Sequence, residues 1–191
     1  NVGKYYGGHF TYNGKAYPMG QHGFARDTEF EQIAAGEDFV TYRLCADEES
    51  KKKYPFDFVL EITHRLENNR LSVEWNVKNV DDKEMYFTIG GHPAFNVNIL
   101  PDTDFEDYSL VFKEGIETLS YILIDAENGT ALTDKTHKLE LTNSKYALKK
   151  DMFDKDALVF DNGQIEWAAL ALPDGKPYIA LESKGFPNFG I

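Results

Sequence analysis

Two of the five histidines stand among residues that make tight turns. His22 lies in Met19-Gly20-Gln21-His22-Gly23-Phe24-Ala25-Arg26-Asp27, and His92 lies in Ile89-Gly90-Gly91-His92-Pro93-Ala94-Phe95-Asn96. Each follows a strand-like run. A loop-borne imidazole beside glycine, at the end of a strand, suits proton transfer, because histidine changes charge close to neutral pH. No third His or Cys falls at ligand spacing, so these residues do not read as a metal site. His9, His64 and His137 sit within strand-like runs without a charged or glycine-rich setting. They read as packed or surface side chains.

Other chemistry is sparse. There is no phosphate-binding glycine-rich loop, no G-x-S-x-G elbow, no C-x-x-C pair and no H-E-x-x-H helix. Asp102-Thr103-Asp104-Phe105-Glu106-Asp107 is acidic enough for calcium, but Asp107 stands where the EF-hand turn needs glycine and Lys113 where it needs a bidentate Glu. It reads as a polar loop. Asn128-Gly129-Thr130 is a glycosylation sequon that reads more simply as a turn. The single cysteine, Cys45, closes the alternating run Phe39–Cys45. It is expected to be a packed, inert thiol.

The elements that must position the two histidines are strands. Phe58, Leu60, Ile62, His64 and Leu66 alternate with polar neighbours, and Leu71, Val73, Trp75 and Val77 do the same after the turn-forming Glu67-Asn68-Asn69-Arg70. This predicts a long antiparallel hairpin with one apolar face. Met85–Ile89 is expected to be a third strand after a turn at Asp81-Asp82-Lys83. Asn13-Gly14 between Phe10–Tyr12 and Lys15–Tyr17 predicts a hairpin with a type I′ turn. Further strands are expected over 108–112, 117–124, 138–141, 165–171 and 178–181. One short helix is expected over Ser144–Phe153, and the charge run Glu48–Lys53 is expected to be a solvated loop tip. Many strands and little helix imply an all-β chain, a large antiparallel β-sandwich.

Composition narrows the partners. The 191 residues suit one domain with a sizeable core. The net charge of −12 argues against nucleic acid and against anionic membrane surfaces, both of which are bound through Lys and Arg. No apolar run reaches the length of about 18 residues that a membrane-spanning helix requires.

The two histidine motifs, Gln21–Asp27 and Gly90–Asn96, together resemble the aldose 1-epimerase (galactose mutarotase) family in its LacX-like branch. Val2-Gly3-Lys4 followed by Phe10–Lys15, Met152–Phe160 and Gly185–Ile191 are similar to further segments of that family, in the same order. The resemblance covers essentially the whole chain, 1–191, as a single aldose 1-epimerase-like domain with a galactose mutarotase-like supersandwich fold. The N- and C-terminal parts of the family domain are expected to be absent.

The resemblance implies an isomerase that interconverts the α and β anomers of a free hexose. It implies His92 as the acid that protonates the ring oxygen and His22 as a residue that binds and polarises that oxygen. Asp156, in the family's F-x-x-D-A-L-[IV]-F segment, is implied as a substrate ligand. Lys4 stands where the family usually has Arg, and Lys cannot reproduce a planar two-pronged contact. Arg26, in the His22 motif, is expected to bind substrate, and it could pair with phosphate if the hexose is phosphorylated. The family's general base is a Glu beyond its F-P-x-L-G-I-W stretch, so it is expected past Ile191; Glu166 and Glu182 precede that stretch and are not assigned the role. No cofactor and no metal is implied, the partner is a small-molecule aldohexose, and a cytoplasmic location is expected. The alternative reading is a non-catalytic carbohydrate-binding protein on the same fold.

Overall fold

The structure is a computed structural model that describes residues 3–191; Val2, in the first family-like segment, lies outside the described residues. The chain divides into two compact units, Asn1–His92 and Pro93–Ile191.

The first unit opens with the hairpin β1 (His9–Tyr12) and β2 (Lys15–Pro18). Its turn is left-handed at both central residues, Asn13 (φ 48°) and Gly14 (φ 75°), as a type I′ turn requires. A four-stranded antiparallel sheet follows, in the order β3 (Glu31–Ala35), β4 (Phe39–Cys45), β5 (Phe58–Glu67), β6 (Arg70–Asn79). In the β5–β6 register Leu60 opposes Val77, Ile62 opposes Trp75, and His64 opposes Val73, so the alternation read from the sequence puts these side chains on one face. Leu44, Phe58 and Leu60 form the buried centre of that face. The opposite face is polar. Arg43 donates to Glu31 at 2.9 Å, Asn76 and Lys78 both donate to Glu61 at 3.1 Å, and the Thr41 and Thr63 hydroxyls are 2.9 Å apart.

Three expectations in this unit are corrected. Glu48–Lys53 is not a loop but the helix α1. Asp47 caps it, accepting from the Ser50 N–H while Ser50 Oγ accepts from the Asp47 N–H, and Glu48 and Glu49 begin it while Lys51–Lys53 end it. That order of charge matches the helix dipole. Met85–Ile89 forms no strand. Met85 and Ile89 instead pack onto the apolar face of the β4–β5–β6 sheet, so the segment covers the sheet rather than extending it. Cys45 is exposed, because as the last residue of β4 it falls on the polar face that Arg43 shares.

The second unit contains two four-stranded antiparallel sheets. One has the order β10 (Lys145–Ala147), β7 (Ser109–Phe112), β12 (Trp167–Ala171), β13 (Pro177–Glu182), and the other β14 (Phe189–Gly190), β11 (Val159–Phe160), β8 (Thr118–Ile124), β9 (Ala131–Glu140). Tyr108, Leu110, Phe112 and Ala168, in or beside the first sheet, share one buried core with Leu119, Leu139, Phe160 and Phe189 of the second. This is a β-sandwich. Its long loop is pinned by tyrosines: the Leu100 N–H donates to Tyr108 Oη at 3.0 Å, and Tyr178 Oη donates to the Asn96 carbonyl at 2.6 Å.

The helix expected over Ser144–Phe153 is absent. Asn143 and Ser144 are both left-handed (φ 52° and 58°), and Lys145–Ala147 pairs with β7, Tyr146 opposite Leu110. Pairing with β7, as the edge strand of the sheet, overrides the helix preference of Ala147, Leu148 and the lysines. The Asp102–Asp107 and Asn128–Thr130 segments are loop and turn, as read. Asp104 caps a short 3₁₀ turn by accepting from the Phe105 N–H at 2.7 Å, and the Gly129 N–H closes a turn on the Asp125 carbonyl at 2.7 Å.

Candidate functional site

His22 and His92 meet in the first unit. Their ring centroids are 5.2 Å apart and the rings are edge-on, at 83°. The strands bring them there indirectly. The loop that follows β2 places Phe24 and Ala25 on the same apolar sheet face that receives Met85 and Ile89 from the chain leading to His92. Two irregular segments are therefore laid on one platform, each ending in an imidazole.

The backbone at His22 is left-handed (φ 65°), as is Gly23 after it (φ 76°). A non-glycine residue in this region is unfavourable and is kept there by its surroundings. Here Gly3 holds it. The His22 N–H donates to the Gly3 carbonyl at 2.8 Å, and the Gly3 N–H donates to His22 Nδ1 at 3.1 Å. An amide can only donate, so Nδ1 must present its lone pair and the ring proton sits on Nε2. His22 thus has a fixed tautomer with a donor on the nitrogen that Gly3 does not occupy. Gly3, with φ 105°, is a site residue that sequence reading did not single out; its glycine identity in the Val2-Gly3-Lys4 segment was the available signal.

The pKa of His22 is lowered from 6.5, first by burial, then by the neighbouring His92 and by Arg26. The neutral, Nε2–H form is therefore favoured at neutral pH. His92 is exposed. Arg26 forms two bonds of 3.1 Å to Asp27, so its guanidinium is already turned to a carboxylate, and it reaches His22 as a positive field. Lys4 is exposed and follows Gly3 directly, so the His22–Gly3 pairing anchors the chain beside it.

Asp156 belongs to the second unit. It is left-handed (φ 71°), its Oδ1 accepts from the Ala157 N–H at 2.6 Å, and its own N–H donates to the Phe153 carbonyl at 3.1 Å. The side chain is exposed just before β11. His9 Nδ1 lies 3.1 Å from the Gly7 carbonyl, and His137 stacks on Tyr121 with centroids 5.3 Å apart. His9 is an exposed side chain and His137 a half-buried one. His64 opposes Val40 and Val73 across the sheet with Nδ1 buried.

The family profile described as aldose 1-epimerase matches residues 4–174, a span that includes both histidine loops. The chain belongs to the aldose 1-epimerase family. Within it the chain is LacX-like: the LacX proteins of Lactococcus lactis subsp. lactis, plasmid and chromosomal, are each 31% identical over 170 residues, 88% of this chain and 56% of theirs. A galactose mutarotase related enzyme from Lactobacillus acidophilus superposes with a TM-score of 0.90 at 30% identity, covering 99% of this chain and 62% of its own. A galactose mutarotase-like protein from Lactobacillus casei superposes with a TM-score of 0.83 at 30% identity, covering 99% of this chain and 64% of its own. The fold is thus galactose mutarotase-like. The chain spans a little over half the length of the curated relatives it matches. Among the described residues, no helix is long and apolar enough to cross a membrane.

Proposed function

We propose that this aldose 1-epimerase family member is part of a mutarotase, acting on a free aldohexose through His92 and His22. The carrying observation is the edge-on His22–His92 pair at 5.2 Å, with His22 fixed as the Nε2–H tautomer by Gly3. In mutarotation the C1 hydroxyl loses a proton to a base and the ring oxygen gains one. The C1–O5 bond breaks as the C1 aldehyde forms, C1–C2 rotates, and closure on the other face reverses both transfers. His92, exposed at the site, is the acid that delivers the proton to O5. His22 Nε2–H donates a hydrogen bond to the same oxygen and polarises it. Burial first, and then the neighbouring His92, lower the pKa of His22, so His22 is suited to the neutral hydrogen-bond donor's part rather than to a second cation. Removal of the O1 proton falls to a base outside this pair.

Arg26 and Lys4 bind hydroxyls at the rim, and Arg26 would exchange its Asp27 partner for a substrate oxygen. Asp156 is proposed as a substrate ligand on the family-like segment that carries it, Met152–Phe160. The test is polarimetry of freshly dissolved α-glucose and α-galactose with the full-length protein. Faster decay to the equilibrium rotation than in buffer supports the reading. Binding of either sugar without acceleration would move the assignment to a carbohydrate-binding protein.

A further inference from the structure

Neither the aldose epimerase match nor the motif reading assigns any role to Tyr54. This residue follows α1 directly, and its N–H closes the helix on the Ser50 carbonyl at 2.8 Å, so its main chain is fixed by the capped helix. Its ring lies among Phe10, Phe24, Phe56 and Phe58, with centroid distances of 6.4, 5.8, 4.9 and 5.6 Å. Phe24 is two residues from His22. The Tyr54 hydroxyl donates to the Tyr86 carbonyl at 2.7 Å. Tyr86 is six residues before His92, in a stretch that belongs to no strand. A main chain without a ladder has few bonds to fix it, so a single hydroxyl tether there has leverage that it would lack inside a sheet.

We propose that Tyr54 is a positioning residue, its ring seating the His22 loop through Phe24 and its hydroxyl tethering the His92 segment through Tyr86. One rigid side chain thereby sets the distance between the two imidazoles. Burial raises the pKa of the Tyr54 hydroxyl, so it remains a donor through the physiological range. The proposal rests on the acid–base reading of His22 and His92, since a role in catalysis follows only if those rings do the chemistry.

The experiment is Tyr54→Phe in the full-length protein, which keeps the ring and removes the tether. A misplacement of about 1 Å in a catalytic group costs up to 10²-fold. We expect kcat for mutarotation to fall about tenfold or more with KM within about twofold. We also expect the His22 ring, followed by nitrogen-detected NMR, to titrate closer to 6.5 as His92 moves away. Wild-type kcat with unchanged His22 and His92 resonances would overturn the proposal, and so would a lowered melting temperature with unchanged histidine resonances. The resonances are read without turnover. If the wild-type protein epimerises no aldose, they still decide whether Tyr54 sets the histidine geometry, while the polarimetry separately removes the mutarotase reading. Should Tyr54→Phe fail to fold, Phe24→Leu tests the other arm: the His22 resonances should shift, and unchanged resonances would overturn the ring's role.

Discussion

The hydrogen bond from the Gly3 amide to His22 Nδ1 decides which nitrogen of that imidazole is available. His92→Ala in the full-length protein should lower mutarotation by about 10²–10⁴-fold, the usual worth of a positioned proton donor, with the fold intact because the side chain is exposed. Polarimetry with circular dichroism checks both. His22 should titrate below 6.5, visible as retention of the unprotonated Nδ1 resonance at mildly acidic pH. The linkage has a definite sign. The unfolded chain takes up the proton near 6.5 while the folded protein resists it. His22 therefore costs nothing above 6.5, and it destabilises the fold as the pH drops from there towards its lowered folded value. In His22→Gln that part of the pH dependence of melting should disappear.

Among the elements, the hairpin and the post-β6 turn carry the clearest local physics. A Cβ at Gly14 meets no atom within 4 Å, yet its φ is +75°. Gly14→Ala should thus destabilise by about 1 kcal/mol through backbone conformation alone, measurable by urea unfolding. After β6, Asp81 accepts from the Asp57 N–H at 2.9 Å and pairs with Lys83 at 3.0 Å. The amide bond first, and then Lys83, hold its carboxyl well below the usual carboxylate range. Its contribution is present above 3.8, the ordinary value that the unfolded chain retains, and is lost as the pH falls further. Asp81→Asn should lower the melting temperature at pH 7 and flatten its decline in acid. This turn begins the stretch that carries Met85, Ile89 and then His92.

At the scale of the molecule, each unit has its own apolar centre. In the second unit Phe160 is 1% exposed and Tyr108 likewise 1%, between two short-stranded sheets that depend on the shared core. Phe160→Ala should cost about 3–5 kcal/mol, read from the denaturation midpoint. In the first unit the core is smaller, centred on Leu44, Phe58 and Leu60, and is completed by half-buried side chains from the loops that bear the histidines. The platform that positions the site is therefore also what stabilises the sheet beneath it.

Local sequence carries the all-β architecture, the β5–β6 hairpin and its apolar face, the Asn13-Gly14 turn, and the two glycine-flanked loops that bear His22 and His92, because each of these is written in neighbours two to six residues apart. It also determined the family, through the ordered set of motifs around those histidines. It did not determine the fate of segments whose local preference is overridden or overlooked. Met85–Ile89 alternates like a strand but finds its stability on a sheet face, Lys145–Ala147 favours helix but pairs with β7, and Glu48–Lys53 is a helix because Asp47 and Ser50 cap it. Only the tertiary structure set the 5.2 Å between the rings of His22 and His92, the tautomer that Gly3 imposes, and the place of Tyr54 between the two loops. Those follow from strand register and from packing on a common face, and no periodicity along the chain encodes a contact between residues so far apart in it.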